Sequence, residues 1–245
     1  MKDVKVTFRP SAGQLNKIKV WLTEEWDVSG EGFCCNWGVI EDAFDNKKMG
    51  VISLAKKVIG FITWFDSERV TTIQITEIKL GFRRMGYGRI LAEALFDMLY
   101  EKGVMILDLH CQPAKSEKAW KKLGFKQYPD VDDFNDYNSK DGKYLYKILV
   151  PFDKPTKSDK DKESIELWAV EPYETSRFLP EWKWYPKFEK GSRKLFKPII
   201  FPAKRDWNIQ WKKDGSIIKN NKVKRFGKTD INFSDFIIIE QLPLP

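Results

Sequence analysis

The chain has 245 residues, of which 42% are hydrophobic and 14% aromatic, which is enough for one large or two modest folded domains and excludes a disordered chain. No apolar run approaches the roughly 18 residues that span a bilayer, and the first ten residues contain no apolar signal segment, so the sequence predicts a cytoplasmic protein with no membrane partner. Three cysteines, two of them adjacent, exclude a disulfide framework.

The net charge of +8 is unevenly distributed along the chain. Residues 1–150 carry 23 basic and 21 acidic side chains, whereas residues 151–245 carry 20 and 14. The stretch 190–228 is the most basic, with 13 lysines and arginines. A solvated surface is the commoner reason for such a stretch, and a polyanion or protein partner of 190–228 is the alternative.

Two domains are predicted on either side of a linker. Residues 151–163 contain prolines and many charges but few apolar residues, which is typical of a linker. Residues 1–150 alternate strand and helix patterns, which indicates an α/β fold with a sheet that is parallel at least in part. Residues 164–245 contain short β-like runs between prolines, glycines and charges, which predict a smaller, mostly-β domain.

The predicted elements of the first domain, in chain order, are a strand at 4–9, helices at about 12–26 and 36–46, a hairpin of strands 50–55 and 57–65, a strand at 70–80, a helix at 87–101, a strand at 104–109, a helix at about 114–122 and a strand at 143–150. In the helix at 87–101, the apolar residues share one face, as an amphipathic helix requires. In the second domain, Asp214-Gly215 predicts a hairpin turn.

The strand at 70–80 changes phase along its length. Ile73 and Ile75 would lie on one face, whereas Ile78 and Leu80 would lie on the other. Because a strand has period two, this change predicts a β-bulge near Glu77. A bulge frees main-chain groups and separates the strand from its neighbour, so we expect a slot for an extended ligand there.

The segment RRMGYGR, residues 83–89, joins this strand to the next helix. Unpaired N–H groups at a helix N-terminus bind phosphate, and glycine lets its oxygens approach the backbone. The segment is not the dinucleotide-binding fingerprint, because Leu91 occupies its third glycine position, and it is not a Walker loop. On these residues alone, a glycine-softened helix start on a basic surface explains the segment equally well.

The segment also resembles the signature Arg/Gln-x-x-Gly-x-Gly/Ala of the GNAT-type N-acetyltransferases, with Arg83, Gly86 and Gly88 at the defining positions. A second stretch, SEKAWKKLGFKQY at 116–128, is similar to the later helix of that family, which ends in an aromatic residue, three residues and Gly-Phe. The resemblance covers roughly residues 1–150. It implies a mixed, splayed central sheet flanked by helices, transfer of an acetyl group to a primary amine, and acetyl-CoA as co-substrate without a metal.

The resemblance further implies how acetyl-CoA binds. The pantetheine arm would lie along the main chain of 78–80, the pyrophosphate would lie on the amides of 85–89, and an N–H near Ile78 would polarise the thioester carbonyl. The binding residues implied in this way are Ile78, Lys79, Leu80, Arg83, Arg84, Met85, Gly86, Tyr87, Gly88, Arg89, Ser116 and Trp120.

The general acid of the family is not matched in this sequence. The position of its usual tyrosine is Trp120, whose indole N–H is a poor acid, and the position of its frequent asparagine is Pro113. Cys111, Tyr128, Tyr144 and water all remain open as the acid.

Two residues are candidates for the general base. Glu77 is the first choice because it lies beside the predicted bulge, although an exposed strand carboxylate is an equally good interpretation. His110, the only histidine, follows the strand at 104–109, and its ordinary pKa suits proton transfer, although a lone histidine is more often structural.

The acidic segment 128–142 corresponds to a loop that borders the acceptor site in this family. A solvated acidic loop is the commoner reason for such a segment, and attraction of a cationic amine by its aspartates is the alternative. These residues are Asp130, Asp132, Asp133, Asp136 and Asp141.

Three functions from different classes therefore remain. The first is an N-acetyltransferase, the second is a catalytically silent acyl-CoA-binding or regulatory protein, and the third is a nucleic-acid or protein adaptor that uses the basic second domain. In the adaptor, five tryptophans could stack on bases, although a structural role in a small β core is favoured: Trp168, Trp182, Trp184, Trp207 and Trp211. The second domain would otherwise cover the acceptor cleft, select a protein or RNA-bound substrate, or mediate a homodimer.

Overall fold

The computed structural model describes residues 3–30, 32–112, 116–137, 142–156, 162–226, 229–230 and 235–244. Their contacts divide the chain into two units, the first formed by Met1–Lys126 with Lys143–Leu149 and the second by Gln127–Gly142 with Val150–Pro245. Several sequence predictions fall outside the described residues: Pro113, Asp141, the first residues of the helix predicted at 114–122, the middle of the predicted linker at 157–161 and residues 227–228 of the basic stretch.

Among the described residues, four α-helices and a seven-stranded sheet belong to the first unit, apart from Gln127 at the end of one strand. The helices are α1 (Ala12–Ser29), α2 (Trp37–Asp45), α3 (Tyr87–Glu101) and α4 (Glu117–Lys122). The strands are β1 (Val4–Thr7), β2 (Met49–Leu54), β3 (Lys57–Ser67), β4 (Val70–Ile78), β5 (Ile106–Cys111), β6 (Lys126–Gln127) and β7 (Lys143–Ile148). Each predicted element is confirmed to within a few residues at its ends, and α3 has its predicted bounds. The two-residue β6 was not predicted.

The sheet has the strand order β1-β2-β3-β4-β5-β7-β6. Strands β1 to β4 form antiparallel neighbours, and β5 and β7 are also antiparallel. Between them, β4 and β5 pair in parallel, because α3 carries the chain back across the sheet between these two strands. The mixed sheet flanked by helices is therefore confirmed.

Helices cover both faces of the central strands. On one face, Leu91, Leu95 and Leu99 of α3 are buried in a cluster with strand residues that include Ile73 and Ile78. On the other face, α1 and α2 form a second cluster with strand residues that include Ile75. Because both faces are buried, apolar residues follow one another along these strands without strict alternation.

Helix α1 has well-defined ends. Ser11 and Gln14 form a capping box, in which the Ser11 side chain accepts from the Gln14 N–H and the Gln14 side chain accepts from the Ser11 N–H. The helix ends at Gly30, whose φ of 64° allows the left-handed C-cap. The last turns of α1, which carry Glu24 and Glu25, are therefore fixed in place.

The second unit is mostly β and contains two sheets, as the sequence predicts. Its strands are β8 (Glu163–Trp168), β9 (Trp182–Trp184), β10 (Lys194–Pro202), β11 (Asn208–Lys213), β12 (Ser216–Lys222), β13 (Thr229–Asp230) and β14 (Phe236–Gln241). The strand orders are β12-β11-β8-β9 and β10-β14-β13. The predicted hairpin joins β11 to β12, and its turn residues Asp214 and Gly215 have φ of 48° and 80°.

The tryptophans of the second unit belong to its core. Trp168, Trp184, Trp207 and Trp211 are each at most 5% exposed. Trp182 stacks on Trp207, with 5.5 Å between the ring centroids and 13° between the ring planes. The prediction that the tryptophans form part of a small β core is confirmed for these four. Their rings are buried and leave no face on which a nucleic-acid base could stack.

Half of the described lysines and arginines in the stretch 190–228 form ion pairs within the second unit. Among its described residues, six cations form ion pairs with acidic side chains: Arg193, Lys194, Lys204, Lys212, Lys222 and Lys224. Their acidic partners include Glu163 and Glu166, which lie outside the stretch. Local pairing lowers the charge available to a polyanion, and such a partner of 190–228 stays a prediction.

Residues 127–137 pack into the second unit. Phe134 is fully buried there, with ring centroids 5.1 Å from Tyr128, 5.2 Å from Tyr137 and 5.4 Å from Trp207. The Trp207 indole donates to Asp133, and the Tyr137 hydroxyl donates to Asp235 over 2.9 Å. This segment precedes β7 in the chain, yet its described side chains help to form the core of the second unit.

We expect Phe134→Ala to lower the free energy of unfolding of the second unit by about 3–5 kcal/mol, because it removes a fully buried ring and leaves a cavity. The measurement is denaturant unfolding followed by tryptophan fluorescence. Phe178→Ala is the matched control, because Phe178 is 53% exposed and belongs to the same unit. Equal effects of the two substitutions would contradict the assignment of Phe134 to the core.

None of the described helices is both long enough and apolar enough to cross a membrane.

Candidate functional site

The candidate site is a cleft where β4 and β5 separate. Their parallel pairing runs from Val70 with Ile106 to Ile73 with Leu109 and ends there. Beyond this point both strands line a cleft of about 1060 Å³. Its other walls come from the end of α1, the residues that follow β4 and the start of α4. The splayed sheet predicted from the resemblance is therefore confirmed.

The bulge in β4 lies at Gln74 and not near Glu77, so the predicted position was wrong. Thr63 of β3 pairs with Ile75, whereas the next residue, Trp64, pairs with Ile73. The extra residue turns Ile75 toward α1 and α2, while Ile73 faces α3. Both faces of the sheet are buried, so an apolar residue fits either face. The spacing of Ile73 and Ile75 therefore predicted one shared face, although they lie on opposite faces.

Helix α3 begins beside the cleft with an uncapped N-terminus. Gly86 has a φ of 85°, which favours glycine, and Arg84 has a φ of 63°. Among the described residues, no side chain caps this end, and the first intrahelical bond runs from the Ile90 N–H to the Gly86 carbonyl. The N–H groups of the first helical turn, 87–89, are therefore available to an anion.

Space and charge at this helix start favour an anionic ligand. A side chain at Gly86 would meet no atom within 4 Å, so the backbone there is open. Arg84 and Met85 are exposed, and Arg89 is exposed apart from a 3.9 Å ion pair with Glu93. The positive end of the helix dipole adds to these two guanidinium groups.

Arg83 contacts β4 and α1 in this structure. Its Nε donates to the Ile78 carbonyl over 2.8 Å, and its terminal nitrogen donates to the Glu77 carboxylate over 3.0 Å. The same nitrogen lies 3.9 Å from the Glu25 carboxylate. Contact of Arg83 with a phosphate, which the signature implies, stays a prediction.

Glu77 lies in the cleft with its carboxylate bonded on two sides. Besides Arg83, its Oε1 accepts from the Ile78 N–H over 3.0 Å. Burial raises the pKa of Glu77 above its usual 4.5, while Arg83 and the Ile78 amide oppose this and Glu25 adds to it. A carboxylate with a raised pKa beside a cleft has the properties of a general base, and the catalytic role of Glu77 stays a prediction.

Glu25 is the residue of this site that the sequence analysis missed. Its Oε1 accepts from the Leu80 N–H over 3.2 Å, and its side chain lines the cleft. It lies on α1, more than fifty positions before Glu77 in the sequence. No local pattern connects two residues at that separation, and only the packing of α1 against the sheet brings them together.

His110 and Cys111 lie on opposite faces of β5. His110 is exposed, lines the cleft and stacks on Tyr144, with 4.6 Å between the ring centroids. Cys111 is 1% exposed and belongs to the core cluster under α3, with its thiol 3.0 Å from the Ser116 hydroxyl. The structure therefore brings His110 into the same cleft as Glu77 and directs Cys111 into the core.

We expect Cys111 to resist thiol reagents in the native protein. Burial raises the pKa of its thiol, and the neighbouring Glu117 adds to this effect, although the Ser116 hydrogen bond lowers the pKa. In a titration with an aromatic disulfide reagent, Cys35, which is exposed, and Cys34 should react first, and the third thiol only after unfolding. The unfolded protein is the control, with three thiols; three fast native thiols would contradict the burial of Cys111.

Ser116 and Trp120 line the α4 side of the cleft. The Trp120 ring packs edge-on against Phe125, with 5.2 Å between centroids. Among the other residues considered as an acid, Tyr144 is 38% exposed beside His110, whereas Tyr128 is 4% exposed in the core of the second unit. Of the three side chains considered as the acid, Tyr144 is therefore much more exposed than Cys111 and Tyr128.

Two aspartates of the acidic segment contact residues of the second unit. Asp133 accepts from Trp207, and Asp132 accepts from Asn135 over 3.2 Å. Their predicted role in attracting an amine stays a prediction. Within the part of the chain that the structure describes, no group of three or more His, Cys, Asp or Glu residues is close enough to hold a metal ion.

Residues 15–125 match the sequence model of the acetyltransferase (GNAT) family. Over these residues, which make up less than half of the chain, the sequence is similar to the GNAT family. The match includes the cleft, the start of α3 and the Gly-Phe that follows α4. No family model matches the C-terminal part, and none of the curated proteins compared matches the chain.

Three solved structures that are similar to the first unit are aligned with this chain over almost their whole length. Ard1 from Thermoplasma volcanium is 18% identical, with 60% of this chain and 98% of that chain covered and a TM-score of 0.48. PaiA N-acetyltransferase from Thermoplasma acidophilum, in complex with coenzyme A, is 14% identical, with 60% and 99% covered and a TM-score of 0.46. Arabidopsis thaliana Naa50, in complex with the bisubstrate analogue CoA-Ac-MVNAL, is 18% identical, with 59% and 97% covered and a TM-score of 0.45.

Proposed function

We propose that the protein is an N-acetyltransferase that moves an acetyl group from acetyl-CoA to a primary amine. One observation carries the proposal: the cleft between β4 and β5 leads to an uncapped helix start that carries the family signature at 83–88. A slot lined by strand backbone fits an extended arm, and a bare helix N-terminus fits a pyrophosphate. Together they fit the two chemically different ends of coenzyme A.

The described residues fit acetyl-CoA as a substrate. The N–H groups at the start of α3 would hold the pyrophosphate, and Gly86 leaves the space that it needs. The main chain of 78–80 would hold the pantetheine arm. Leu80 and Met85, which are 67% and 63% exposed, would cover the apolar part of the ligand.

In the proposed reaction the amine nitrogen attacks the thioester carbonyl, and Glu77 takes the proton that the amine loses. The buried, raised-pKa carboxylate of Glu77 supports this role. A thiol has an ordinary pKa near 8.5, so the thiolate leaves without a strong acid and Trp120 is tolerated in place of tyrosine. Tyr144 or water would return a proton to the sulfur.

The proposed acceptor is a cationic amine. Glu24, Glu25 and Glu77 line the cleft, against Lys79 and Arg83. A lining in which carboxylates outnumber cations favours a positively charged acceptor over an acidic one. A cytoplasmic location, a homodimer and the role of the second unit remain predictions from the sequence.

Two measurements test the proposal. The first is thermal unfolding with increasing acetyl-CoA, in which saturation at a hundred times Kd should stabilise the protein by about 2.7 kcal/mol. The second is acetyl-CoA-dependent thiol release with a panel of diamines, amino sugars and peptides. Stabilisation without thiol release from any amine would favour the silent acyl-CoA-binding protein, and no stabilisation of the folded protein would refute both.

A further inference from the structure

The part of the cleft along residues 78–80, where the pantetheine arm would lie, is here called the slot. Three main-chain groups of the slot form hydrogen bonds with charged side chains of the protein itself. The Ile78 N–H donates to Glu77 Oε1 over 3.0 Å, and the Ile78 carbonyl accepts from Arg83 Nε over 2.8 Å. The Leu80 N–H donates to Glu25 Oε1 over 3.2 Å. These are charge-assisted hydrogen bonds, which are stronger than those between neutral groups.

The Ile78 groups point into the gap between β4 and β5. The Lys79 N–H donates to the Ile59 carbonyl of β3 over 2.9 Å, and Glu77 pairs with Phe61 of the same strand. In an extended strand, successive residues direct their hydrogen-bonding groups to opposite sides. Ile78 therefore directs its N–H and carbonyl toward β5, whose pairing with β4 has already ended at Ile73.

Glu25, Glu77 and Arg83 form one connected cluster, here called the slot cap. The Arg83 guanidinium contacts both carboxylates, and each carboxylate in turn holds a main-chain N–H. The slot cap thereby supplies hydrogen bonds that a neighbouring strand, or an extended ligand, would otherwise supply. Without such partners, the unpaired N–H and C=O groups at this edge of β4 would lose free energy on removal from water.

We propose that Glu25 and Glu77 are displaceable stand-ins for the arm of acyl-CoA: they occupy the N–H groups of Leu80 and Ile78 while the slot is empty, and the arm removes both carboxylates when it binds. This inference rests on the proposed function, because it assigns the same slot to the arm. Its new content is that Glu25 competes with the donor for the Leu80 N–H.

The displacement couples donor binding to the base. While the slot is empty, Glu77 is held by the Ile78 N–H and Arg83, and neither contact leaves its Oε1 free for an amine. Once the arm takes the Ile78 N–H, Glu77 loses one partner and can turn toward the acceptor. Binding of the arm therefore frees Oε1 of the base from the Ile78 N–H when the acyl group has arrived.

The test compares two ligands and two neighbouring carboxylates. Coenzyme A has the arm, whereas adenosine 3′,5′-bisphosphate lacks it and reports on the phosphate end alone. Glu25→Ala removes one carboxylate of the slot cap. Glu24→Ala is the matched control, because Glu24 has the same charge on the same helix, also lines the cleft and is 66% exposed. Affinities are measured by isothermal titration calorimetry.

We expect Glu25→Ala to bind coenzyme A about three- to tenfold more tightly than the wild type, because a charged competitor for a main-chain donor is gone. Its affinity for the bisphosphate should stay within about twofold, as should both affinities of Glu24→Ala. Glu25→Gln, which keeps the length of the side chain, should shift coenzyme A affinity in the same direction by less.

The proposed displacement would be overturned if Glu25→Ala bound coenzyme A no more tightly than the wild type. It would also be overturned if the affinities for both ligands rose equally, because that result indicates a general effect of charge. A wild-type protein that binds neither ligand would instead remove the donor site itself. That result refutes the proposed function and this inference together, and the wild-type titration alone distinguishes it from failure of the displacement.

Discussion

Gly86→Glu should abolish the stabilisation by acetyl-CoA. The wild type should gain about 2.7 kcal/mol at a hundred times Kd, and the variant should gain close to nothing. Gly86 has a φ of 85° at the start of α3, in open space. A glutamate there places a carboxylate where the pyrophosphate would lie, at the positive end of the helix, and adds backbone strain. Thermal unfolding with increasing ligand is the measurement.

Gly103→Glu is a closely matched control for this variant. Gly103 follows the other end of α3, has a φ of 84° and is equally open. The backbone strain and the added charge are the same, and the helix dipole should make Gly103→Glu less stable than Gly86→Glu by about 1–2 kcal/mol without ligand. Of these two variants, only Gly103→Glu should keep the ligand response. Gly88→Ala should also keep it, since a Cβ there lies 3.6 Å from Ile78, an ordinary contact. Equal responses of Gly86→Glu and the wild type would refute the phosphate site.

Glu77→Gln should lower kcat/KM for the acceptor amine by about 10²–10⁴-fold, because the amide cannot take a proton. The pH profile carries further information. The pKa of Glu77 is raised above 4.5, and the base acts when it is deprotonated, so the wild-type rate should fall as pH decreases through this raised value. The variant should lack this acidic limb. The measurement is the rate of thiol release as a function of pH.

Glu24→Gln provides the comparison for the base. Glu24 lines the same cleft and carries the same charge, but its described contact is a 3.8 Å ion pair with Lys79. Its rate should stay within about threefold of the wild type, because an exposed ion pair contributes little. A similar loss in both variants would indicate a general effect of charge in the cleft and would contradict a specific base at Glu77.

The secondary structure of the first unit was predictable because each element carries local signals. Helix α3 has a continuous apolar face and glycines before it, so its predicted bounds match the structure. The β11–β12 hairpin was predictable from Asp214-Gly215, because few residues accept its positive φ values. The turn before α3 was predictable for the same reason, since Gly86 has a φ of 85°, which favours glycine.

The position of the bulge was not predictable from hydrophobicity. Ile73 and Ile75 are both apolar and both buried, but they face different helices. Hydrophobic alternation reports a face only when the other face is exposed to water. In a sheet covered on both sides, the hydrogen-bond register has to be known, and β3 sets that register through Thr63 and Trp64.

The sequence by itself determined the elements, their order and the signature at 83–88, because turn chemistry, helix periodicity and glycine spacing act over a few neighbouring residues. The tertiary structure alone decided the slot cap and the packing of residues 127–137 into the second unit. Glu25 meets Leu80 only because α1 packs beside the end of β4, and Phe134 is buried only because distant aromatic rings surround it. Contacts between residues far apart in the chain depend on how whole elements pack, and no local pattern encodes them.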